Sequence, residues 1–127
     1  MCSWSTVRRL LGALALLVAA AGPASAHAFV DTSVPADRST VRQAPGEVTV
    51  RFTESVELEF SRITVKSGTG ERVSTGPIRQ PAGNTLTVGL KTLGPGSYTI
   101  EWRVLSVDTH VTDGVLRFTV GPARSSR

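Results

Sequence analysis

From residue 27 onward the apolar positions of this chain recur with period two, and no helical period interrupts them. Val48, Val50 and Phe52 alternate with Thr49, Arg51 and Thr53. Ile63 and Val65 alternate with Arg62, Thr64 and Lys66, and Leu86, Val88 and Leu90 follow the same rule. Tyr98, Ile100, Trp102 and Val104 point one way and Thr99, Glu101 and Arg103 the other; Leu116, Phe118 and Val120 close the series. Short, β-branched and aromatic segments of this kind predict strands with one buried face. Turn-forming groups separate them at fairly even spacing: Pro35-Ala36-Asp37, Ala44-Pro45-Gly46, Ser67-Gly68-Thr69-Gly70, Ala82-Gly83-Asn84, Gly94-Pro95-Gly96 and Asp113-Gly114. The expectation is an all-β domain of about seven strands, a Greek-key β-sandwich or small barrel with Tyr98 and Trp102 in its core.

The first 26 residues read differently. Arg8 and Arg9 precede an apolar run from Leu10 to Ala21, and Ala24-Ser25-Ala26 supplies a small-x-small cleavage pattern. A run of about 12 residues is short for a bilayer-spanning helix, which favours a cleaved signal peptide over a retained anchor. The expected division is a signal peptide at 1–26, one domain at 27–121 and a flexible tail at 122–127, in a protein of the periplasm, cell envelope or exterior. No later apolar run has membrane length, so the mature domain is expected not to span a membrane.

Composition then removes several chemistries. Cleavage after Ala26 takes away Cys2 and Met1, the only sulfur-bearing residues, and Trp4. Disulfides, thiolate metal sites, thiol catalysis and the thioether ligands that favour Cu(I) are thereby excluded from the mature domain. The formal charge of +4 falls to +2 as Arg8 and Arg9 leave. The remaining basic residues are scattered without interleaved aromatics, so no nucleic-acid partner is expected.

Catalytic constellations are scarce. There is no Gly-rich phosphate loop and no G-x-S-x-G elbow. Ser106, Asp108 and His110 are triad residue types, but at i, i+2, i+4 on one strand face they do not converge as a triad does. Glu54, Glu57 and Glu59 read as a solvated strand end or loop, with a substrate-facing or ligand-supporting carboxylate as the alternative. The chain is therefore not expected to be an enzyme. What remains is two histidines. Cleavage would make His27 the N-terminal residue, whose α-amino group and imidazole Nδ1 can chelate one ion. On extended backbone Asp108 and His110 would share a face. Together the donors are an amine, two imidazoles and a carboxylate. A planar N/O set of this kind suits Cu(II), with tetrahedral zinc as the competitor. A lone surface histidine and a chance Asp-x-His remain the bland alternatives.

These same residues resemble a known family, the CopC-type periplasmic copper-resistance proteins. "HAFVDTSVPADRSTV" is similar to the family's opening His-Ala and Ser-x-Pro-Ala, and "APGEVTVRFTESVE" to its alternating strand and Phe-x-Glu-x-Val. "GPGSYTIEWRVLSVDTHVTDGVLRFTVG" resembles its Gly-x-Tyr-x-x-x-Trp, Ser-x-Asp-x-His and closing strand. The likeness covers residues 27–121. It implies an immunoglobulin-like or cupredoxin-like β-sandwich that binds Cu(II) outside the cytoplasm, with His27, Asp108 and His110 as metal ligands. The implied task is copper resistance or homeostasis, by buffering copper or passing it to a membrane transporter of the CopD-like kind. The protein itself is expected to be a monomer. Phe29 stands where some members have a second histidine, no Met-rich segment is present, Thr109 replaces a common Gly, and Val111 a common Pro. These departures favour a single Cu(II) site. Two other readings are a copper-dependent oxidative enzyme of the N-terminal-His type and a metal-free immunoglobulin-like interaction module.

Overall fold

The structure, a computed structural model, describes residues 27–122. The assigned signal peptide and the end of the tail lie outside the described residues. Eight strands and one short 3-10 helix follow in order: β1 (Val30–Val34), β2 (Ser39–Val41), β3 (Glu47–Phe52), the 3-10 turn Leu58–Phe60, β4 (Arg62–Ser67), β5 (Ser74–Ala82), β6 (Thr85–Leu90), β7 (Gly96–Leu105) and β8 (Val111–Val120). They form two four-stranded sheets, ordered β1-β3-β6-β5 and β2-β8-β7-β4. All pairings are antiparallel except β2 with β8. The result is the expected all-β sandwich, with one strand more than the alternation indicated.

The strands that alternation reveals are the ones that enclose the core. Val48, Val50 and Phe52 of β3, Ile63 and Val65 of β4, and Leu86 and Val88 of β6 are buried. So are Tyr98, Ile100, Trp102 and Val104 of β7 and Leu116, Phe118 and Val120 of β8. Removing one such side chain from water contributes about 1.5–3 kcal/mol. β1, β2 and β5 carry mixed or mostly exposed patterns instead. Period two reports a buried face, and these three outer strands bury little of theirs, unlike the fourth outer strand β4, which buries Ile63 and Val65.

Aromatic packing ties the two sheets together. Phe52 of the first sheet meets Trp102 of the second edge-on at 5.4 Å, while within the second sheet Tyr98 and Phe118 stack at 5.3 Å. Trp102 pairs across the ladder with Gly114. A Cβ there would lie 2.7 Å from the indole, so only glycine lets the ring lie flat over that strand. Among the described residues, no helix is long and apolar enough to cross a membrane.

Candidate metal centre

The site lies at one end of the sandwich and draws on both sheets. Residues 27–29 lead into β1 of the first sheet, and residues 106–110 form the loop between β7 and β8 of the second. Three hydrogen bonds pin the leading segment. Phe29 N donates to Thr53 Oγ1 at 3.0 Å, and Thr53 N returns a bond to Phe29 O at 2.8 Å. Across the sandwich, Thr112 Oγ1 donates to Ala28 O at 2.5 Å. Ala28, fully buried, plugs the end of the core. His27 is thus exposed but its backbone is anchored one residue away. Sequence reasoning missed Thr53 and Thr112; their only signal is position, at the end of β3 and two residues beyond His110.

The extended backbone expected for Asp108-Thr109-His110 is a turn instead. Thr109 N donates to Ser106 O at 2.9 Å and Ser106 N to His110 O at 2.8 Å, closing a tight loop above the last β7–β8 pair, Leu105 with Val111. Thr109 takes φ 74°, in the left-handed region that β-branched residues avoid. The turn, not strand alternation, brings Asp108 and His110 to one side.

Asp108 Oδ1 lies 3.9 Å from His110 Nδ1, with both side chains nearly half exposed. The His27 and His110 rings stack with centroids 4.7 Å apart and planes 29° from parallel. All three residues singled out in the sequence are therefore neighbours. The Phe29 ring lies 6.2 Å beyond His27, nearly parallel to it, so an apolar ring flanks the site.

Ser106 is fully buried beneath the loop. Its hydroxyl donates to Asp108 Oδ1 and accepts the His110 backbone N–H at 3.2 Å. That bond is the main reason the Asp108 carboxyl sits below its ordinary range. The Asp108 backbone amide and the two imidazoles add to the effect, and partial desolvation opposes it. The Ser106 hydroxyl is occupied by the carboxylate and a backbone amide rather than by the imidazole, which excludes the triad arrangement. Glu54, Glu57 and Glu59 are exposed, in keeping with a solvated strand end.

Among the described residues, no three His, Cys, Asp or Glu side chains are already poised around one point as a metal site. The geometry says why. Imidazole lone pairs lie in the ring plane, and two stacked rings do not aim them at a common centre. In the uncleaved chain the His27 nitrogen is moreover a peptide amide rather than an amine donor. An ion held about 2 Å from each nitrogen keeps those nitrogens within about 4 Å of one another. Rings 4.7 Å apart can reach that spacing by side-chain rotation. The donor set fits a copper ion after that adjustment.

A family model described as the CopC domain matches residues 30–121. The chain belongs to the CopC family. CopC relatives are copper resistance and transport proteins. Protein YobA of Escherichia coli K12 is 36% identical over 121 residues, covering 91% of this chain and 98% of its own length. Copper transport protein CutJ of Bacillus subtilis is 37% identical over 101 residues, 77% of this chain. The matched part is only 19% of CutJ. Among solved structures, CopC from Methylosinus trichosporium OB3b superposes with a TM-score of 0.72 at 32% identity, over 80% of this chain and all of that one. The CopC match includes Asp108 and His110 but begins after His27.

Proposed function

We propose that the protein captures one Cu(II) ion outside the cytoplasm, as a CopC domain over residues 27–121, and buffers it or passes it to a membrane copper transporter. Copper is cargo here, and the task is carriage rather than catalysis. The observation that carries the reading is the approach of the His27 and His110 rings to 4.7 Å, with the Asp108 carboxylate beside them.

Removal of residues 1–26 by signal peptidase converts the His27 nitrogen from an amide into an amine. The amine and Nδ1 of His27 then chelate the ion, Asp108 supplies an oxygen and His110 a nitrogen. Two imidazoles, an amine and a carboxylate make a tetragonal set that favours Cu(II), the strongest binder among the divalent first-row metals. Because nitrogen donors must lose their protons first, binding weakens in mild acid. The half-exposed donors leave one side open, as hand-over from a monomer to a transporter requires.

Calorimetric titration of Cu(II) into protein processed to His27 tests the reading. One ion per chain is expected, with affinity falling at least about 100-fold when a residue is added before His27, since even outer-sphere changes cost about 10–100-fold. Sub-stoichiometric binding, or affinity that survives the added residue, overturns it.

A further inference from the structure

We propose that Ser106 is a positioning residue of the copper site, acting through the Asp108 carboxylate; this rests on the site proposed above. Serine is an unusual residue to bury completely, because its hydroxyl must find partners inside the protein. Here both partners belong to the metal-end loop. A hydroxyl has one proton to give, and Ser106 gives it to Asp108 Oδ1; the His110 backbone N–H donates to a lone pair of Ser106 Oγ itself. The carboxylate is thereby held by one oxygen and free to offer the other, Oδ2, to an ion.

Ser106 is itself tied down. It forms a lone antiparallel bridge with Val56, a buried residue whose N–H donates to Gly83 O at 2.9 Å. Ser106 N and O are taken by His110 O and Thr109 N–H. The hydroxyl is therefore a fixed point between the rigid sandwich and an exposed carboxylate that would otherwise sample several rotamers. An unheld carboxylate spends entropy on each capture of the ion; a held one does not.

Copper affinity of protein processed to His27, measured by competition with a Cu(II) chelator, provides the test in a double-mutant cycle. Ser106→Ala is expected to weaken binding about tenfold, in the range of outer-sphere substitutions. In the Asp108→Ala background the same change should cost much less, no more than the His110 backbone bond to the hydroxyl contributes. Ser106→Thr and Ser106→Val form a second pair, equal in shape and differing in the hydroxyl, which serves if the alanine variant does not fold. The Thr variant should bind about tenfold tighter than the Val variant, with most of that difference lost when Asp108 is replaced by Ala. Equal losses with and without Asp108, or no loss in either pair, overturn the positioning role while leaving the copper site standing. If Asp108→Ala alone leaves affinity unchanged, the carboxylate is not a ligand and the proposal falls with that part of the site.

Discussion

Two turns of this molecule join neighbouring strands and obey opposite logics. The β5–β6 turn uses Gly83 and Asn84, residue types suited to tight turns, and neither adopts positive φ. It is stitched to the sandwich from several directions. Phe52 N donates to Asn84 O at 2.7 Å, Asn84 Nδ2 to Phe52 O at 3.0 Å, and Gln80 Nε2 to Gly83 O at 3.0 Å. The β7–β8 loop instead places a β-branched Thr109 in the left-handed region and exposes the Asp108 and His110 side chains. Both bonds of its buried Ser106 hydroxyl stay within the loop, one to the Asp108 carboxylate and one from the His110 backbone. Where local preference and backbone agree, the β5–β6 turn serves stability; where they conflict, the β7–β8 loop carries the proposed donors.

The sharpest way to break this comparison is to exchange the consequences of mutation. His110→Ala should lower Cu(II) affinity by at least about 100-fold, beyond the range for outer-sphere changes. Apo stability in urea should move by no more than about 0.5 kcal/mol, as for an exposed side chain. Asn84→Ala should do the reverse. Losing its bond to Phe52 O should cost about 1 kcal/mol of stability in the same urea titration, with copper affinity unchanged.

Smaller effects refine the picture. Thr109→Gly should raise apo stability by up to about 1 kcal/mol, the relieved left-handed strain being partly offset by the backbone entropy of glycine in the unfolded chain. A urea midpoint that falls instead would mean the Thr109 side chain contributes more than its backbone costs. The least effect concerns pH. Asp108 has a folded pKa lowered from 3.8, so its ionised form favours the folded state. That contribution is full above 3.8 and is lost as pH falls through the lower folded value. The stability gap between wild type and Asp108→Ala in the apo protein should accordingly close in that acidic window and stay constant above it, as urea midpoints across pH will show.

The central strands were legible from residue order because a half-buried strand must alternate, and Val48 to Phe52, Tyr98 to Val104 and Leu116 to Val120 do so. The candidate donors were legible because so few residues could serve: two histidines, no sulfur after residue 26 and one Asp-x-His. Tertiary structure decided the rest. β1, β2 and β5 bury too little to alternate, and the parallel pairing of β2 with β8 depends on a partner distant in sequence. The Asp108–His110 turn is closed by hydrogen bonds that no local propensity encodes, since threonine disfavours the φ it adopts there. Likewise the meeting of His27 with His110 depends on the Thr112–Ala28 bond between elements from opposite ends of the domain. Residue types determined which chemistry was available; long-range hydrogen bonding and core packing determined where its donors meet.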